Sequence, residues 1–96
     1  MKRQLRKVGA AMPRSMFSKD YAILIQLMAD IRKEMGKTQV DVSTALGKPQ
    51  SFISKIENGE RRMDLIEMIA IADAIGMNSQ QILKRLENEI QRPVEI

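Results

Sequence analysis

The residues of this chain that could do chemistry gather between Thr38 and Gly59. Gln50, Ser51, Ser54 and Lys55 all offer hydrogen-bonding groups, and none is a nucleophile beside a base. Their spacing places them together. Val42 and Leu46 stand four apart, as on the inner face of a short helix, and Gly47 interrupts the pattern. Pro49 then favours a new helix entry, because its fixed φ suits the first turn. In that second helix Phe52, Ile53 and Ile56 point inward, which leaves Gln50, Ser51, Ser54 and Lys55 outward. Two short helices around a tight turn, the second polar and basic outside, are what delivers a helix to the major groove of DNA.

Other chemistry is largely excluded. The 96 residues contain no His and no Cys. The usual zinc ligand sets, Ser-His and Cys-His nucleophile pairs and imidazole acid–base catalysis are therefore absent. No glycine-rich phosphate loop is present, and most carboxylates fall on polar helix faces. No catalytic residue, metal or cofactor is expected, and the chain is not read as an enzyme. No apolar run approaches the roughly 18 residues needed to span a bilayer. The apolar stretch Val8–Met12 is shorter than a secretory signal needs, so a cytoplasmic protein is expected.

The formal net charge of +4 is unevenly placed. Lys2, Arg3, Arg6, Lys7, Arg14 and Lys19 give residues 1–19 six positive charges and no acid, while the remaining 77 residues sum to −2. Overall basicity is thus weak evidence for nucleic acid, and the local position of each cation matters more. Residues 1–17 show no sustained periodicity and read as a basic arm. Such an arm can follow phosphates or enter a minor groove; a solvated tail is the other reading.

The elements that must position residues 38–59 are helices. Apolar residues make up 44% of the chain but aromatics only 3%, with abundant Ile, Leu and Met, a mix that favours packed helices over a sheet. Ser18 or Asp20 caps helix one, where Tyr21, Leu24, Met28, Ile31 and Met35 recur at helical spacing until Gly36. Thr38 caps helix two, and Asp41 completes a capping box. Helix three follows Lys48-Pro49 and closes at Asn58-Gly59. Asp64 caps helix four, whose apolar residues run nearly all round, a pattern expected at the centre of a core. Asn78 caps helix five, which reaches about Gln91 with Ile82, Leu83, Leu86 and Ile90 in one stripe. The expectation is an all-α domain of five helices over 18–91, with a short tail at 92–96.

Thr38–Gly59 resembles the helix-turn-helix of the Cro/repressor (Xre-type) regulators, and the resemblance extends over roughly residues 19–86. Ser43 is the small residue where the two helices cross, Gly47 sits at the turn, and Ile56-Glu57-Asn58-Gly59 is the family's ending of helix three. The family usually has Ala where this chain has Ser43. The resemblance implies a lambda-repressor-like DNA-binding domain acting on double-stranded DNA. It also implies that Gln50, Ser51 and Lys55, with Ser54 less favoured, face the bases. Gln suits adenine, Lys guanine, and Ser either partner. Gln39 matches the family's phosphate-binding position. Arg61 and Arg62 lie in the loop that runs along the backbone, with Lys37, Lys48 and Asn58 as further phosphate candidates; a plain polar loop is the other reading. Arg32 and Glu57 match a pair that ties helix one to the end of helix three and so supports the recognition helix.

A two-fold operator needs two reading heads, about 34 Å apart. A homodimer is therefore expected, with Leu86 and Ile90 as interface candidates, while Ile82 and Leu83 are expected to face the core. The leading reading is a transcriptional repressor. Alternatives are a DNA-binding antitoxin with a toxin partner, a restriction–modification controller, or a coactivator-like interaction module without sequence-specific reading.

Overall fold

A computed structural model describes residues 18–96 of the chain. Its elements are five helices: α1 Lys19–Glu34, α2 Gln39–Ala45, α3 Ser51–Glu57, α4 Leu65–Ile75 and α5 Ser79–Glu89. No strand occurs among the described residues. The basic arm expected at 1–17 lies outside them.

Local chemistry explains most of the boundaries. The first amides of a helix have no partner within it, and a side-chain oxygen just before the helix can accept from one. Ser18 Oγ accepts from the Tyr21 amide at 3.0 Å, so Ser18 is the cap and Asp20 is free for another task. Thr38 and Asp41 form a reciprocal capping box at α2, as do Asp64 and Glu67 at α4. Asn78 Oδ1 accepts from the Gln80 amide at α5. The Asp41 carboxyl is held below its ordinary value, chiefly by the hydrogen bond from the Thr38 amide. Only α3 lacks such a side chain, since Gln50 at its entry makes no capping bond. Helix α5 ends at Glu89 rather than Gln91.

The core is built from Ile25, Leu27, Met28 and Ile31 of α1, Val42 of α2, Phe52, Ile53 and Ile56 of α3, and Met68, Ile71, Ala72 and Ile75 of α4, with Met63 and Ile82. Each fully buried aliphatic side chain among them contributes roughly 1.5–3 kcal/mol relative to exposure. Helix α1 packs on both α3 and α5, and α2 packs on α3 and α4.

Burial along α1 and α4 departs from their sequence patterns. Helix α1 has a wide buried surface that takes in Ala22, Ile25, Leu27 and Ala29, beyond the residues named from its periodicity. Met35, at the α1 C-cap, is exposed instead. Helix α4 buries one side only: Leu65 is 66% exposed, Ile66 71% and Ile69 38%. In α5, Ile82 is fully buried, but Leu83 faces outward, contrary to the expectation that it joins the core. Leu86 packs half-buried against the core, and Ile90 is half-buried at the helix end. The tail after α5 returns to α1, where the Glu95 amide donates to Asp20 Oδ2 at 2.7 Å.

Candidate nucleic-acid interface

Helices α2 and α3 meet through a turn in which one residue must adopt positive φ. Gly47 has φ +68°, a region costly for side chains with a Cβ. Its amide donates to the Thr44 carbonyl at 3.0 Å and the Lys48 amide to the Ser43 carbonyl at 2.9 Å. This pair of bonds closes α2 and turns the chain sharply into α3. Ser43, fully buried at the crossing, accepts from the Ile53 amide through Oγ at 3.2 Å.

With Phe52, Ile53 and Ile56 buried, the opposite side of α3 faces solvent. Gln50, Ser51 and Lys55 are exposed there. Ser54 is half-buried, and its hydroxyl donates to the Ser51 carbonyl at 3.0 Å, so its outward capacity is reduced. Asn58 is exposed at the α3 C-cap, where its amide donates to the Ser54 carbonyl.

Behind α3 the Arg32–Glu57 pair forms. Arg32 Nε donates to Glu57 Oε2 at 2.7 Å and Nη2 to Oε1 at 3.0 Å. The two side chains are only 8% and 12% exposed. Arg32 Nη1 also donates to the Lys37 carbonyl at 2.8 Å. Gln39 Nε2 donates to Glu57 Oε1 at 2.8 Å. One guanidinium therefore ties the end of α1, the α1–α2 turn and the end of α3. Gln39 adds the start of α2 to the same carboxylate. Met28, Ile53, Ile56 and Met63 lie beside the pair, so its charges are partly desolvated. Such a pair adds little net stability but fixes geometry, and removing one partner strands the other charge.

A second cluster occupies the loop between α3 and α4. Arg61 reaches Glu67 with two bonds of 3.0 and 2.8 Å, and here the side chains are 43% and 25% exposed. The Arg61 guanidinium also lies 5.0 Å from the Phe52 ring centroid, and Lys48 Nζ lies 5.5 Å from it. Phe52 thus draws two cations together beside α3 through its ring face. The hydrogen bond from Arg61, followed by that from the Asp64 amide, lowers the Glu67 carboxyl to about 2. Arg62 stacks over the Tyr21 ring at 4.1 Å, and the Tyr21 hydroxyl accepts from the Met63 amide at 2.9 Å. The loop is thereby tied to the start of α1.

The expected site residues accordingly fall into two groups. Gln50, Ser51, Lys55, Lys48 and Asn58 are exposed on α3 and in its flanking turns, and Lys37 is exposed in the α1–α2 turn. Gln39, Arg61 and Arg62 are engaged within the molecule. Sequence reading missed Glu67, Phe52 and Tyr21 as holders of the loop cations. Arg61 and Glu67 are six apart across a loop, outside the three- and four-residue spacings at which helical charges meet. The Asp64–Glu67 capping pattern was the available clue. Among the described residues no group of carboxylates could hold a metal ion, and no helix is long and apolar enough to cross a membrane.

The similarity of this chain to known proteins coincides with the same region. The family model described as helix-turn-helix matches residues 28–82. The HTH-type transcriptional regulator y4dJ of Sinorhizobium fredii (strain NBRC 101917 / NGR234) is 31% identical over 55 residues, covering 57% of this chain and 71% of that protein. A solved structure, the XRE-family like protein from Pseudomonas syringae pv. tomato str. DC3000, superposes with a TM-score of 0.71 at 39% identity. That alignment covers 75% of this chain and 88% of the other. The matched segment contains α2, α3 and the clamp between Arg32 and Glu57, and the chain belongs to the Xre-type helix-turn-helix family of DNA-binding transcriptional regulators.

Proposed function

We propose that the protein is a sequence-specific repressor that reads the major groove with the N-terminal part of α3. The supporting observation is the division of α3 into two faces. One is fixed by core packing and the Glu57 clamp, while the other presents Gln50, Ser51 and Lys55 to solvent. Gln50 and Lys55 carry the donors and acceptors that discriminate base edges. Lys37, Lys48, Asn58, Arg61 and Arg62 flank this face as phosphate partners, which set register rather than sequence. Gln39 joins them through its remaining amide capacity while Nε2 holds Glu57. Selection of bound DNA from a random pool tests the reading, repeated with Gln50→Ala. Enrichment of one motif, with preference lost at one base pair in the variant, supports it. Failure to enrich any sequence refutes it.

A repressor of this size gains specificity by acting as a pair. The apolar side chains Leu65, Ile66 and Ile69 on α4 offer a second copy an exposed surface, whereas Leu86 and Ile90 are half-buried. Three side chains form a patch of only a few hundred Å², below the roughly 1,200 Å² total of a stable interface. The dimer is accordingly weak when free and reinforced on DNA.

A further inference from the structure

We infer that Ser43, a buried residue that faces no solvent, is a positioning residue that sets the sequence discrimination of α3. The inference concerns a hydroxyl, not the small size expected at this helix crossing. The other four helices each have a side-chain cap at their entry, and α3 has none of its own. Gln50, which precedes it, has helical backbone angles (φ −52°, ψ −33°) and makes no capping bond. The Phe52 amide is served by the Pro49 carbonyl at 2.9 Å. The next amide, that of Ile53, is buried and donates to Ser43 Oγ at 3.2 Å. The same hydroxyl donates to the Gln50 carbonyl at a longer 3.4 Å. Ser43 thus supplies from inside α2 the cap that α3 lacks.

Its main chain serves the other side of the turn. The Ser43 carbonyl accepts from the Lys48 amide at 2.9 Å and the Leu46 amide at 3.2 Å. One residue therefore closes α2 with its backbone and anchors the start of α3 with its side chain. Ser43 has no exposed surface, so no solvent molecule replaces the hydroxyl if it is removed without rearrangement. The residue held on the far side is Gln50, whose outward side chain is the leading base reader. A small rotation at that point moves the side-chain amide by more than a bidentate contact to a base tolerates. An alanine at position 43 would fill the crossing but leave the Ile53 amide unpaired.

The DNA part of the inference rests on the proposed reading by α3; the capping part does not. The test uses the full chain and two variants, Ser43→Ala and Ser43→Cys. Cysteine keeps the unbranched shape, is somewhat larger, and offers a much weaker acceptor. Amide exchange followed by NMR reads the cap directly. Both variants are expected to speed exchange at Ile53 by ten-fold or more relative to amides at the centres of α1 and α4. Binding to the selected DNA and to random duplex, at one salt concentration, reads the consequence. The ratio of the two affinities should fall at least three-fold in both variants, with binding to random duplex unchanged. A role confined to global stability would accelerate exchange in every helix and leave that ratio intact, which overturns the inference. Unchanged Ile53 exchange in Ser43→Ala, or wild-type behaviour in Ser43→Cys, also overturns it. If the unaltered chain enriches no DNA, the reading by α3 fails, and the Ile53 amide still decides whether Ser43 is the cap.

Discussion

Among the described residues, two short bidentate Arg–Glu pairs have nearly equal geometry and very different surroundings; a third, Arg85–Glu34, is longer at 3.3 and 3.4 Å. Arg32–Glu57 closes at 2.7 Å with side chains 8% and 12% exposed, and Arg61–Glu67 at 2.8 Å with 43% and 25%. Behind α3 the pair is walled by Met28, Ile53, Ile56 and Met63, and the cation also holds the Lys37 carbonyl. In the loop, Arg61 stands in solvent over the Phe52 ring. An exposed pair gains little Coulomb energy and exchanges partners at low cost; a desolvated one does neither. The buried arginine is therefore committed to geometry, while the exposed one, in the proposed reading, exchanges its carboxylate for a phosphate.

Breaking the buried pair should have the largest effect. Arg32→Ala leaves the Glu57 carboxylate in a partly desolvated site and should cost about 3–5 kcal/mol of folding stability, read by urea titration. Glu57→Gln keeps the shape and retains hydrogen bonds, so a smaller loss is expected. A loss under about 1 kcal/mol for Arg32→Ala would make the two pairs equivalent and remove the distinction.

Next comes the leading base reader at the start of α3. Gln50→Ala should relax preference at one base pair, by roughly 1–3 kcal/mol of discrimination, with little change in stability. Equal weakening on all sequences would move Gln50 to the phosphate group of residues.

The α4 surface, next to the loop cations, gives a third test. Ile66→Glu should shift sedimentation at high protein concentration toward monomer, and Leu86→Glu should mainly cost stability because Leu86 packs on the core. The reverse pattern would return the interface to α5.

The exposed pair should show the smallest effects on stability. Arg61→Ala is expected to cost about 0–1 kcal/mol. Its pH signature has a definite sign. Glu67 is depressed to about 2 from an ordinary value of 4.5, so its contribution is complete above that ordinary value and is lost as pH falls toward 2. Stability of the unaltered chain should drop across that window, and Glu67→Gln should flatten the drop. An identical acid profile in the variant would mean that the pair contributes nothing.

Much of the architecture is legible in the sequence. Helix ends carry strong local signals, and Thr38, Asp64, Asn78 and Gly47 act where their chemistry implies. The Arg32–Glu57 pair was legible through the family motif, since residues 25 apart have no local relationship. What failed was the extent of burial on α4. An apolar composition all round α4 suggested a central helix, yet Leu65, Ile66 and Ile69 remain exposed. Periodicity reports where apolar residues lie on a helix, and which of them a neighbour covers is a tertiary property. The loop contacts of Arg61 with Glu67 and Phe52 were hidden for the same reason, and so was the hydroxyl of Ser43. The motif marks only its size.

The division between a positioning arginine and an exchangeable one is tested most directly by the salt dependence of DNA affinity in Arg32→Ala and Arg61→Ala. A phosphate contact that is lost lowers the slope of log affinity against log salt by about 1, whereas a lost geometry leaves it unchanged. Arg32→Ala should weaken binding at every salt concentration with the slope of the unaltered chain. Arg61→Ala should lower the slope by about 1 and approach the unaltered chain at high salt. A reduced slope in Arg32→Ala, or unaltered affinity and slope in Arg61→Ala, would contradict it.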